Sequence, residues 1–152
     1  MTGNAAATRL VGLPLATWER DGLKAALAKV GLPVDDVDEP DRLFWRFERD
    51  DMPVGFGGIE VHGPDALLRS VVTLPPVRRT GIARAIVAAL ETEATIAGCR
   101  AVWLLTTTST GFFAKLGYGI CDRAEVPDAI RATRQFAALC PASATAMVKR
   151  LA

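Results

Sequence analysis

The chain has 152 residues, half of them apolar, and a formal net charge of +1, which is enough for one domain with a sizeable core and excludes the charge excess of a nucleic-acid binder. No apolar run approaches the roughly 20 residues that cross a bilayer, and the first residues lack a basic region followed by an apolar one; the expectation is a cytoplasmic protein with neither nucleic-acid nor membrane partners. Cys99, Cys121 and Cys140 are odd in number and far apart, and no histidine stands near them at ligand spacing, so they read as buried thiols rather than a disulfide framework or a metal site.

In chain order, residues 1 to 7 are small or polar and predict a disordered start to a single domain over residues 8–152. Arg9 to Leu13 can form a short strand before Pro14. Thr17 is placed to cap a helix in which Leu23, Leu27 and Val30 recur at helical spacing until Gly31. Between Pro33 and Pro40 the chain carries Asp35, Asp36, Asp38 and Glu39, which predicts a solvated acidic loop or an irregular short helix.

Leu43 to Glu48, Val54 to Val61 and Ala66 to Thr73 read as three strands of an antiparallel meander, joined by turns at Asp50-Asp51-Met52-Pro53 and His62-Gly63-Pro64-Asp65. With four residues in the second turn, Val61 pairs with Ala66, Glu60 lies opposite Leu67, and Gly58 lies opposite Arg69 on the same face. His62 falls in the turn and reads as exposed.

The third strand stops at Pro75-Pro76, and Arg78, Arg79 and Gly81 then open an alanine-rich helix to Ala97, with Ile82, Ile86 and Leu90 on one stripe. A helix N-terminus leaves backbone N–H groups without partners and carries partial positive charge. Gly81 allows close approach of a ligand and the arginines add formal charge, so a phosphate or pyrophosphate is the natural occupant. Ala101 to Thr106 is a buried strand, and Ser109 or Thr110 can cap a short helix ending at Gly117. After Tyr118 the chain is irregular until Val126-Pro127, where a helix with Ile130, Thr133 or Arg134, and Ala137 on one side can run to Leu139. Thr145 to Leu151 closes the chain as a strand.

The segment Arg78-Arg79-Thr80-Gly81-Ile82-Ala83 resembles the pyrophosphate loop of the GNAT superfamily of acetyl-coenzyme A-dependent N-acetyltransferases, which reads Gln/Arg-x-x-Gly-x-Gly/Ala. Thr73-Leu74-Pro75 is similar to the family's lead-in. Leu104-Leu105-Thr106-Thr107-Thr108, with Gly111-Phe112-Phe113-Ala114-Lys115-Leu116-Gly117-Tyr118, resembles its fifth strand and following helix. Leu67-Leu68-Arg69-Ser70, Val126-Pro127, Arg131-Ala132-Thr133-Arg134-Gln135-Phe136 and Leu139-Cys140-Pro141-Ala142-Ser143-Ala144 are similar to a bacterial branch labelled arsenic-resistance acetyltransferase. They resemble, more distantly, the acetyltransferase domain of N-acetylglutamate synthase.

The resemblance implies an α/β (α+β) fold: a mixed, mostly antiparallel twisted sheet of about six to seven strands with about four helices and a V-shaped splay between strands 4 and 5. It implies acetyl-CoA as co-substrate, no metal, and a small-molecule amine as acceptor. A homodimer is open to it, since dimers are frequent in the superfamily. It assigns Val71 and Thr73 to the pantetheine arm, recognised through main chain as in strand addition, and Arg78, Arg79, Thr80, Gly81, Ile82 and Ala83 to the pyrophosphate. It also implies direct attack of an uncharged amine on the thioester, without a covalent enzyme intermediate.

Two positions depart from the family pattern. Leu67 stands where some relatives carry a catalytic glutamate, and Phe113 where many carry a tyrosine acid. The hairpin register offers Glu60, about 5 Å across the ladder, as general base, direct or through water; the thiolate is left to be protonated by solvent or by a hydroxyl such as Ser109. Arg69 interrupts an apolar strand on the face of Glu60. Its planar fork suits the carboxylate of an amino-acid substrate, a glutamate-like amino acid or a toxic analogue such as an arsenical, or else an ion pair with Glu60 itself. The replaced residues at Leu67 and Phe113 also leave room for a second class, an acyl-coenzyme A sensor or partner-binding module that binds without turnover.

Overall fold

The computed structural model describes residues 9–39, 41–75, 81–139 and 143–151. The expectations for residues 1 to 7, for Arg78, Arg79 and Thr80, and for Cys140 fall outside them. One seven-stranded sheet runs in the order β1-β2-β3-β4-β5-β7-β6. Its strands are β1 Val11–Pro14, β2 Arg42–Arg49, β3 Met52–His62, β4 Asp65–Thr73, β5 Ala101–Thr106, β6 Gly119–Cys121 and β7 Thr145–Arg150. The helices are α1 Asp21–Lys29, α2 Ile82–Ile96, α3 Thr110–Lys115 and α4 Asp128–Arg131. β4 and β5 pair in parallel, whereas β1 with β2, β5 with β7 and β6 with β7 are antiparallel, so the sheet is mixed as expected.

The chain gathers into two compact units, the described residues of Met1–Gly58 with Ser70–Leu90, and those of Ile59–Arg69 with Glu91–Ala152. In the first, β2 turns into β3 over Asp50 and Asp51, at φ 54° and 63°. Two consecutive left-handed residues define the hairpin turn whose twist matches that of the flanking strands. Leu23 and Leu27 of α1, Phe44, Phe56 and Val72 form the core of this unit. α2 lies very close to β3: a Cβ on Gly55 would fall 2.7 Å from Ile86 Cδ1, and one on Gly57 would fall 2.7 Å from Leu90 Cδ1; the Gly55 Cβ would also fall 2.5 Å from the Val72 carbonyl oxygen of β4.

The acidic segment of this unit departs from the solvated loop expected of it. Asp36 and Val37 are fully buried. Arg20 Nη1 donates to the Val37 carbonyl at 2.7 Å and Nη2 to that of Arg42 at 3.2 Å, with the guanidinium 5.0 Å above the Phe44 ring. Arg42 Nε in turn donates to Asp36 at 3.3 Å. Thr17 does not cap the helix; it begins a 3₁₀ turn, Thr17–Glu19, where the Ala16 N–H donates to the Glu19 carboxylate at 2.8 Å.

In the second unit the core is Leu67, Ala101, Trp103, Val126, Ile130, Phe136 and Ala146. The long helix expected from Val126 to Leu139 is broken: α4 stops at Arg131 and a π-helical turn covers Gln135–Leu139. Thr133 causes the break locally, since its hydroxyl donates to the Ile130 carbonyl at 2.7 Å and accepts from the Phe136 N–H at 3.3 Å. β6, in the stretch expected to be irregular, is held by its pairing with β7.

Candidate active site

β4 carries the candidate residues in two stretches. In the second unit, its pairing with β5 covers Asp65 to Leu67 opposite Ala101 to Trp103, and β4 then continues to Thr73. Arg69 is 4% exposed and Glu60 is 1% exposed. Arg69 Nη1 donates to Glu60 Oε2 at 2.9 Å, so the ion pair that the sequence offered as one reading of Arg69 is present. Burying two charges is costly unless they pair closely, which is why both sit on neighbouring strands at this distance.

The sequence reading left out a third member. His62 ends β3 rather than sitting in the turn, which is reduced to Gly63 and Pro64. Its side chain is 26% exposed, and Nε2 lies 3.4 Å from Glu60 Oε1. Residues 60 and 62 share a face of a strand by simple alternation, which is the signal that could have revealed the contact. Immediately after Arg69, Ser70 adopts φ 60°, a left-handed conformation inside a strand that marks strain for a residue with a Cβ. No feature of the sequence announces it.

In the first unit, the Leu74 N–H donates to the Val54 carbonyl at 2.9 Å. Alternation along β4 then directs the main-chain groups of Val71 and Thr73 away from β3, the orientation that strand addition requires. Gly81 opens α2: its carbonyl accepts from the Ala85 N–H at 3.1 Å, its φ is 78°, and among the described residues beyond its chain neighbours no atom lies within 4 Å of a Cβ built on it. The left-handed backbone favours glycine there, and the N–H groups of Ile82 and Ala83 belong to the first helical turn. Ile82 itself is a core side chain, so its main chain alone is available to a ligand. A cleft of about 200 Å³ lies between α1 and the end of β4, lined by Gly22, Ala26, Lys29, Val72, Thr73 and Leu74 among others.

Ser109 precedes α3 and is half-buried. Its N–H donates to Thr106 Oγ1 at 3.0 Å, and its hydroxyl caps no helical N–H. Phe113 stacks edge-on with Phe112 and with Tyr118. Tyr118, the only tyrosine, is buried and donates to Glu91 Oε2 at 2.8 Å, while Lys149 donates to Glu91 Oε1 at 3.0 Å. Burial, with the Glu91 carboxylate beside it, raises the phenol well above its ordinary value, so Tyr118 is a core group that keeps its proton. Burial likewise raises the thiols of Cys99 and Cys121. Among the described residues no cluster of His, Cys, Asp or Glu is arranged to hold a metal ion, and no helix is long and apolar enough to cross a membrane.

A mixed seven-stranded sheet with one short parallel pair, and a glycine-opened helix in the connection between those two strands, make an α/β fold. The acetyltransferase (GNAT) family model matches residues 13–118, and the chain belongs to that family. No curated protein matches the sequence. Among solved structures, the fold is similar to N-acetylglutamate synthase from Neisseria gonorrhoeae complexed with coenzyme A and L-arginine. The TM-score is 0.77 at 14% identity, with 95% of this chain covering 34% of that one. This chain thus spans about a third of the synthase's length. It is also similar to Rv2747 from Mycobacterium tuberculosis in complex with CoA (TM-score 0.73, 22% identity, 93% and 99% covered). A third similar structure is the ribosomal-protein-S18-alanine N-acetyltransferase from Escherichia coli (TM-score 0.70, 16% identity, 95% and 95% covered).

Proposed function

We propose that the protein transfers an acetyl group from acetyl-coenzyme A to the amine of a small molecule, an amino acid or a toxic glutamate-like analogue, in a single cytoplasmic domain over residues 8–152. The observation that carries this reading is the family match across β4, the following loop and α2, joined to the orientation of the β4 main chain. In this reading the amides from Arg78 through Ala83 receive the pyrophosphate, with the two arginines adding charge. Val71 and Thr73 bond the pantetheine arm through their main chain.

The chemistry then needs three things: an uncharged amine, donors for the oxyanion, and a proton for the leaving thiolate. Glu60 supplies the negative charge that draws a proton from the acceptor ammonium, direct or through an intermediary. Arg69 holds that carboxylate in place. The glutamate-like acceptor, an arsenical analogue being one member of that class, follows from the family resemblance; its carboxylate would have to displace Glu60 to reach the Arg69 fork. Ser109 passes a proton to sulfur, a role that Phe113 cannot fill. The amine nitrogen forms a C–N bond to the acetyl carbon, the C–S bond breaks, and free coenzyme A leaves with its thiol protonated.

The test is a panel of amines incubated with acetyl-coenzyme A under thiol detection. Acceptor-dependent thiol release is the expected result. Binding of acetyl-coenzyme A with no thiol released by any amine would favour the sensor module, the reading that Leu67 and Phe113 support by removing two groups relatives use.

A further inference from the structure

Glu60 is screened from an incoming ammonium by its burial. It is almost fully buried, one carboxylate oxygen accepts from Arg69 at 2.9 Å and the other faces His62 Nε2. His62 is the member of this cluster that reaches solvent. The two nitrogens of an imidazole lie on opposite sides of the ring, and a carboxylate beside one fixes the tautomer that leaves a lone pair on the other. We infer that His62 is the proton acceptor of the reaction, with Glu60 as its positioning residue and Arg69 as the anchor of Glu60. This rests on the acetyl-transfer reading above and gives that reaction a base that the sequence did not suggest.

The proton account closes. In this arrangement Nε2–H donates to Glu60 Oε1, and Nδ1 takes one proton from the substrate ammonium, directly or through one water, leaving a neutral amine. That amine attacks the thioester carbonyl, its second proton passes to the departing sulfur by way of Ser109, and His62 releases its proton to solvent. Of the charged groups near the imidazole, Glu60 lies on its own strand and Arg69 on β4, where it donates to Glu60. Asp65 stands across the Gly63–Pro64 turn with Oδ1 accepting from Trp103 Nε1 at 2.9 Å. Arg100 lies over the turn through its own N–H, bonded to the Pro64 carbonyl at 2.6 Å. The turn is thus pinned from β5, and the ring is carried on a rigid hairpin rather than on a loop.

Because His62 is the only histidine in the chain, its tautomer can be read without assignment ambiguity. Long-range ¹H–¹⁵N spectra of the full-length protein are expected to show the Nε2–H form, and Glu60→Gln is expected to lose that bias. In steady-state assays His62→Ala and His62→Gln should lower kcat by about 100-fold or more while acetyl-coenzyme A binds as tightly as before, and added imidazole should restore part of the rate to His62→Ala. A kcat within twofold of wild type in His62→Ala, a loss that imidazole does not restore, or an Nδ1–H tautomer in the wild type overturns the assignment. Failure of the wild type itself to bind acetyl-coenzyme A or release thiol overturns the underlying acetyl-transfer reading instead.

Discussion

Replacing Arg69 by Met keeps most of the side-chain volume and removes only the guanidinium, leaving the Glu60 carboxylate buried without its cation. At 2.9 Å and an effective dielectric of about 20, the direct attraction in the pair is about 6 kcal/mol, and most of it offsets the cost of taking both charges out of water. Breaking such a pair from one side leaves that cost uncompensated, and about 3–5 kcal/mol of stability is lost. For a domain of this size each kcal/mol moves the midpoint by about 2–4 °C, so Arg69→Met should lower Tm by about 6–20 °C. Glu60→Leu combined with Arg69→Met should recover much of the loss, giving a large coupling energy in a double-mutant cycle. The assay is thermal unfolding of the four proteins without ligand. An Arg69→Met cost under about 1 kcal/mol, with no recovery in the double variant, would mean that the pair is not the buried anchor described above.

Further outcomes follow from other parts of the structure. Gly55→Ala should cost more than Gly57→Ala, because its Cβ meets the Val72 backbone carbonyl of β4 while the Gly57 Cβ meets flexible ends of Leu90 and Ile86; about 2–3 against about 1 kcal/mol is expected in urea unfolding, and the reverse order would contradict the close approach of Gly55 to that carbonyl. Asp51→Gly, at φ 63°, should stabilise by roughly 0.5–1 kcal/mol, and a loss of stability would refute the hairpin turn. Absorbance of the only tyrosine should show no ionisation of Tyr118 through pH 11 in the folded protein. Because the folded state keeps a proton that the unfolded chain releases near its ordinary value of about 10, stability should fall as pH rises beyond that value; a tyrosinate signal at pH 10 without unfolding would refute the Glu91 contact. Acetyl-coenzyme A at about 100 times its Kd should add about 2.7 kcal/mol, read as a rise in Tm of about 5–11 °C.

Much of the fold was legible in local pattern. The β-branched strand ending at Thr73, the glycine that opens α2 and the stripe of Ile82, Ile86 and Leu90 each follow from spacing. What escaped was decided by distant partners. β6 has too few residues for any periodicity and exists through β7. The helix after Pro127 has the right spacing but is interrupted by one threonine hydroxyl that finds a nearer carbonyl. Asp36 reads as solvated until Arg42 and the Arg20 fork around Val37 are in place. Within the candidate site, the approach of Glu60 to Arg69 came from hairpin register, which a turn of nearly fixed length determines. His62 was assigned to the turn because four turn-forming residue types follow one another, whereas two residues suffice and the strand runs on. Ser70 carries no sequence mark of its left-handed backbone, since serine is common in ordinary strands.

Calorimetric titration of the wild type and of Gly81→Val with acetyl-coenzyme A tests the central claim most directly. A valine at φ 78° strains the turn, and the amides that follow lose their alignment. The account predicts saturable one-to-one binding to the wild type and affinity at least tenfold weaker for the variant, with the fold intact. A wild type that takes up no acetyl-coenzyme A, or a variant that binds it equally well, would contradict it.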